Sequence, residues 1–208
     1  MLTFLRAMPT VTNPIHAEII DSNEDIEIKL ENIQFSYPKY DSSTYKPIAS
    51  PFDEPNVIDD ISLTIPPKSC IAFTGPPHCG KSALAKLFLR LYDVNQGGIF
   101  FNDINIQNAN IYELHSCISL VSAEPYIFAG SIAENINYGS VDSLHRPEVL
   151  EEIKRIASLA FLDPLINSLP NGIQSILSET GSEISTGNRL LINIARAIRQ
   201  NTKIVGMY

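Results

Sequence analysis

The residues best suited to chemistry are Gly75-Pro76-Pro77-His78-Cys79-Gly80-Lys81-Ser82. They fit the spacing G-x-x-x-x-G-K-[ST], in which a glycine-bearing turn opens a helix. The chemistry that spacing serves is anion binding. Backbone N–H groups of the turn and of the helix N-terminus converge on a phosphate, and the helix dipole favours negative charge there. Lys81 would reach the β- and γ-phosphates, and the Ser82 hydroxyl would help hold Mg²⁺. The loop alone leaves a kinase, a GTPase and a transporter ATPase all open.

Such a loop needs a strand before it and a helix after it, and both are legible. The apolar run Cys70–Phe73 predicts a buried strand leading into Gly75. Leu84, Leu87, Phe88 and Leu91 lie at i, i+3, i+4 and i+7, one stripe on a helix starting near Lys81. Upstream, Ile26, Ile28 and Leu30, then Ile33, Phe35 and Tyr37, alternate as a strand does, and so do Ile61, Leu63 and Ile65. Between them the proline- and serine-rich stretch 38–56 predicts a loop. Ile99–Phe101 predicts a further strand, 147–162 and 188–200 predict helices, and Ile204–Val205 begins another strand. Strands alternating with helices indicate an α/β domain. Residues 1–24 read as a leader or linker.

The chain has 208 residues, 44% of them hydrophobic and 18% charged, enough for one globular domain. Its formal net charge of −8, with no basic run, argues against a nucleic-acid partner. Cys70, Cys79 and Cys117 form no Cys-x-x-Cys pair, so neither a zinc site nor a disulfide framework is expected. His16, His115 and His145 are scattered and read as surface or structural residues. Neither a signal peptide nor a membrane span is expected, and the chain by itself reads as soluble.

Read together, several segments give the chain a family resemblance from about Ile26 to Tyr208. Phe35-Ser36-Tyr37-Pro38, the stretch Val121–Ile136 with Glu124-Pro125, Phe128 and Gly130-Ser131-Ile132, the segments Leu169–Gly172 and Ser178–Gly181, and Ile184-Ser185-Thr186-Gly187-Asn188 follow the loop in order. This series resembles the ABC ATPases, and within them the exporter or half-transporter type. The resemblance implies a P-loop NTPase core with an N-terminal antiparallel β subdomain and a helical subdomain, lacking the C-terminal strands. It places the β subdomain and phosphate loop at 25–110 and the Q-loop and helical subdomain at 111–200, within a domain spanning 25–208.

The resemblance also implies roles. Tyr37 takes the place of the A-loop aromatic that stacks on adenine, although read by itself it is an ordinary strand-end tyrosine. Gly75, Pro76, Pro77, His78, Cys79, Gly80, Lys81, Ser82 and Ala83 would surround the phosphates of ATP–Mg²⁺. Ser185, Thr186, Gly187 and Asn188 stand for the signature that faces ATP on a second nucleotide-binding domain; a serine before a helix also serves as a plain N-cap. Glu179 would face the coupling helices of a transmembrane partner.

The sequence departs from the family at telling places. Ala123 replaces the Q-loop glutamine, His78 a glycine, Ala83 a threonine, and Thr186 a signature glycine. By register Tyr208 falls about where the Mg²⁺-binding Asp belongs, ahead of the general base, so no catalytic residue is intact. The expectation is an ATP-binding domain of an exporter, peripheral to a cytosolic or matrix membrane face, with negligible hydrolysis at its own site. The alternatives are a non-catalytic module that pairs with an intact ABC subunit, or an inert remnant.

Overall fold

A computed structural model describes residues 11–21, 24–38 and 56–208. Most of the proline-rich loop, residues 39–55, and part of the leader, residues 1–10 and 22–23, lie outside the described residues. The chain divides into two compact units, Met1–Cys117 and Ile118–Tyr208.

The first unit is built on an antiparallel sheet in the order β2-β1-β3-β4, with β1 at Ile28–Phe35, β2 at Ile58–Ile65, β3 at Gln96–Phe101 and β4 at Ile104–Asn105. The apolar series of β1 changes phase once, from Ile28 and Leu30 to Ile33 and Phe35, and the structure shows why. The pairing is irregular with β2 between Leu30 and Phe35 and with β3 between Glu31 and Gln34, and Asn32 lies at φ 45°. This bulge inserts one extra residue and returns the next two apolar side chains to the core. Gly97 makes room for it, since a Cβ there would run into the carbonyl oxygens of Glu31 and Asn32. Phe35, Phe101, Leu30, Ile33 and Ile99 are all buried beneath the sheet, with Leu84 and Leu87 of helix α1, Lys81–Phe88, also in the core.

Two expectations need correction here. Cys70–Phe73 forms no strand: Ile71 and Phe73 are each 41% exposed, and no strand among the described residues of this unit hydrogen-bonds to them. A short apolar run becomes a buried strand only between paired neighbours. The helical stripe also stops before Leu91, which is half exposed. Arg90 enters the left-handed region at φ 50°, its N–H donating to the Leu87 carbonyl while that of Leu91 donates to Lys86. This is the Schellman ending of a helix, here with arginine where glycine is usual.

Arg90 occupies that position because its side chain is used. It is 4% exposed, with Nε donating to Asp93 Oδ1 at 3.0 Å, Nη1 to the Ala109 carbonyl and Nη2 to the Thr12 carbonyl. Residues 11–21 are thereby tied to the first unit. Glu18 exchanges backbone hydrogen bonds with Asn108 and Asn110, and Ile20 is 2% exposed. The unit closes with α2, Ile111–Cys117.

The second unit carries β5, Ile118–Val121, paired in parallel with β8, Ile204–Met207, and a small antiparallel pair, β6 at Gly130–Ser131 with β7 at Ile176–Leu177. Its helices are α3 (Ile132–Asn137), α4 (Pro147–Leu159), α5 (Asp163–Ser168) and α6 (Thr186–Gln200). Ile132, Ile136, Ile153, Ile156, Leu162 and Ile192 form its core. The predicted helices thus exist, α4 ending three residues early and α6 starting two residues early.

Candidate nucleotide site

The phosphate loop lies in the first unit, exposed throughout from Gly75 to Cys79. Two left-handed residues shape it, His78 at φ 64° and Gly80 at φ 92°. Gly80 is also sterically required, because a Cβ there would stand 2.7 Å from the Val57 carbonyl oxygen. At Gly75 a Cβ would fall 2.7 Å from Cys79 Sγ. Gly80 is the N-cap of α1 and offers no side chain, and the first turn holds no acidic residue. The N–H groups of Lys81, Ser82 and Ala83 therefore have no partner within the helix, and the positive end of the helix is left for an anion.

Lys81 folds back over the loop. Its Nζ donates to the carbonyls of Gly75 at 2.9 Å and Pro76 at 2.8 Å, and approaches Cys79 Sγ at 3.3 Å. The ammonium thus already stands inside the turn, where an entering phosphate would exchange with the carbonyls. Ser82 is exposed and Ala83 is buried. The loop, the lysine and the bare helix end fit a polyphosphate.

Tyr37 also belongs to this unit, just past the end of β1 and 39% exposed. It does not stand as a lone ring. Phe35 and Tyr92 both meet it edge-on, with centroids 5.0 and 5.2 Å away, and Lys86 Nζ from α1 sits over it at 5.5 Å. Tyr92 and Lys86 were missed by sequence reasoning; the only signal for Lys86 was its place one turn beyond Ser82 and Ala83.

In the second unit, Ser185 caps α6, its hydroxyl oxygen accepting from the Asn188 N–H at 3.1 Å. The cap reading of Ser185 is therefore realised. The Thr186 hydroxyl accepts from Arg189 Nη2 at 2.8 Å, while Arg189 Nη1 donates to the Thr180 carbonyl. At Gly187 a Cβ would meet the Ser185 hydroxyl oxygen at 3.8 Å, an ordinary contact, and Glu179 is exposed. Neighbouring Glu183 accepts from the Ser178 N–H and hydroxyl, and the hydroxyl hydrogen bond holds its carboxyl below the usual range. Glu134 is held low in the same way, chiefly by the Ser131 N–H at 2.6 Å, in a capping box at the start of α3.

The structure also brings Ala123 and Tyr208 together. The Ala123 N–H donates to the Tyr208 carbonyl at 2.7 Å, and the Tyr208 N–H to that of Val121, continuing the β5–β8 ladder. No amide or carboxylate side chain is supplied at either position.

The comparisons agree with this picture. The profile of the ABC transporter family matches residues 58–206. The chain is 37% identical over 178 residues to the mitochondrial ATP-binding cassette sub-family B member 10 of Mus musculus, covering 86% of this chain and 23% of that protein. It is 32% identical over 213 residues to ABC transporter B family member 4 of Dictyostelium discoideum, covering 99% of this chain and 26% of that protein. The chain thus spans about a quarter of the length of these curated relatives. In fold it matches a bacterial Atm1-family ABC exporter solved with ATP bound, with a TM-score of 0.83 over 99% of this chain and 33% of the other, at 23% identity. Among the described residues no helix is long and apolar enough to cross a membrane. The chain belongs to the ABC transporter family and has the ABC ATPase fold.

Proposed function

We propose that the chain is the ATP-binding domain of an ABC exporter, that it binds ATP at Gly75–Ala83 with the adenine on Tyr37, and that it hydrolyses ATP weakly on its own. The observation that carries the reading is the uncapped N-terminus of α1 beneath a left-handed turn, with the Lys81 ammonium already inside it. Backbone N–H groups and Lys81 would hold the phosphates. Ser82 would hold Mg²⁺ together with phosphate oxygens, the ligand set this ion prefers, and the metal would offset charge on the transferring phosphoryl group. The weak hydrolysis follows from Ala123, whose methyl group can position neither metal nor water.

The reading carries a division of labour, with 25–110 holding the nucleotide and 111–200 facing partners. Those partners are a transmembrane domain, met at Glu179, and a second nucleotide-binding domain, met at Ser185–Asn188. The site would lie on the cytosolic or matrix face of a membrane. One observation favours non-catalytic pairing as a second reading: Ser185 caps α6 through the Asn188 N–H, which leaves the first-turn N–H groups of Thr186 and Gly187 without a partner inside the helix and suited to a partner's ATP.

Calorimetric titration of the 208-residue protein with Mg-ATP tests the site. Lys81→Ala should weaken binding about tenfold to a hundredfold, the range for hydrogen bonds to charged groups. Equal binding by parent and variant would overturn the assignment. Lys81-dependent phosphate release at the rate of an intact transporter domain would overturn the weak hydrolysis.

A further inference from the structure

Tyr37 is useful to a base only if its ring is held in one orientation, and the strand end that carries it is held from several sides. The Val57 N–H donates to the Phe35 carbonyl at 2.8 Å, and the Asn95 N–H to that of Gln34 at 2.9 Å. Asn95 Oδ1 then accepts from the Ser36 N–H at 2.7 Å. One asparagine thus grips the backbone on both sides of Phe35, and Tyr37 emerges from a fixed point.

The ring itself has few orientations left. Tyr92 meets it at an interplanar angle of 85° and Phe35 at 75°, both in the edge-to-face arrangement that aromatic quadrupoles favour. Phe35 and Tyr92 also touch each other, with centroids 5.7 Å apart, so the three rings brace one another. Lys86 lies over Tyr37 at 5.5 Å, within the range in which an ammonium is attracted to a ring face. With the ammonium over that face, the part of the ring that stays exposed is what a base could meet.

We propose that Tyr92 and Lys86 are positioning residues for the nucleotide base: Tyr92 sets the tilt of the Tyr37 ring and Lys86 covers its back, leaving one face for a purine. The inference rests on the assignment of Tyr37 as the base platform. Both side chains contact Tyr37 and neither belongs to the phosphate loop, so their effect is expected only with ligands that carry a base. This separates the role from a general structural one, which would disturb the phosphate loop as well.

The experiment compares Mg-ATP with inorganic tripolyphosphate plus Mg²⁺, each titrated into the parent and into Tyr92→Leu, Tyr92→Phe, Lys86→Met and Lys81→Ala. Tyr92→Leu should weaken ATP about threefold to tenfold and leave tripolyphosphate unchanged, while Tyr92→Phe keeps the ring and binds as the parent does. Lys86→Met should weaken ATP about twofold to fivefold, again without effect on tripolyphosphate. ATP affinity that is unchanged in Tyr92→Leu and Lys86→Met, or that falls in parallel with tripolyphosphate affinity, overturns the inference while the phosphate site stands. A parent that binds neither ligand, or a Lys81→Ala variant that binds both as the parent does, overturns the proposed function and the inference with it.

Discussion

Two left-handed residues shape the phosphate loop, and they should respond to substitution in opposite senses. At His78, φ 64° places a Cβ-bearing residue where only glycine is at ease. The left-handed conformation costs an L-residue about 1–2 kcal/mol, and the extra freedom of glycine in the unfolded chain offsets about 0.5–1 kcal/mol of the relief. His78→Gly should therefore stabilise the protein by up to about 1.5 kcal/mol. Gly80 is the reverse case. Gly80→Ala incurs the same conformational cost at φ 92° and drives a Cβ to 2.7 Å from the Val57 carbonyl oxygen and 3.2 Å from Ile58 Cγ1. The Val57 carbonyl is main chain and cannot turn aside, so the loss should reach about 2–4 kcal/mol. His78→Ala is the control that removes the imidazole and keeps the strain. Urea denaturation of the three variants against the parent reads all of these directly. Equal stability of His78→Gly and His78→Ala would refute the backbone account of position 78. A neutral Gly80→Ala would refute the loop geometry as a whole.

Two further expectations concern what holds each unit together. Arg90→Met removes the guanidinium that joins Asp93, Ala109 and Thr12; it should cost about 2–4 kcal/mol in urea denaturation and expose residues 11–20 to limited proteolysis, whereas unchanged stability and protection would contradict the buried clasp. Glu134 has its carboxyl held below the ordinary value of 4.5 by the Ser131 N–H and hydroxyl, so its ionised form adds stability above that value, lost as pH falls through the lower folded-state value. Parent and Glu134→Gln should accordingly differ in Tm near neutral pH and converge in acid, while a gap that widens in acid would reverse the sign of the linkage.

The parts of this structure legible from sequence are those decided by local pattern. Period-two alternation located β1 and β2, period-3.6 spacing located α1, α4 and α6, and the loop from Gly75 to Ser82 announced itself through glycine, lysine and serine at fixed offsets. The phase change between Leu30 and Ile33 was visible too, although its cause was not, because a bulge is shared between β1 and its neighbours on both sides. Cys70–Phe73 misled for a related reason: an apolar run carries no information on whether a neighbouring strand will satisfy its backbone. The end of α1 was hidden because Arg90 does what glycine usually does, and its side-chain partners Asp93, Ala109 and Thr12 explain the choice. Tyr92, Lys86 and Asn95 were invisible as site residues, since their relation to Tyr37 arises only when β1, α1 and β3 are assembled.

The departures from the family pattern fall on side chains whose loss the fold tolerates. Ala83 is packed in the core at 3% exposure, where a methyl group suffices for packing. Ala123 donates its backbone N–H to the Tyr208 carbonyl, a bond that any residue but proline could make. The Thr186 hydroxyl is engaged by Arg189 within the start of α6. None of the three changes removes a hydrogen bond on which an element depends, so each can alter nucleotide chemistry while leaving the scaffold as it is. His78 differs, because its left-handed φ of 64° carries a conformational cost of its own. A strained position is a reason to look for a use of the side chain, and His78 belongs to the same turn whose Gly75 and Pro76 carbonyls hold Lys81. His78→Gly should therefore give a more stable protein whose grip on triphosphate is weaker, and a variant that gained on both counts would show the histidine to be a burden on the loop.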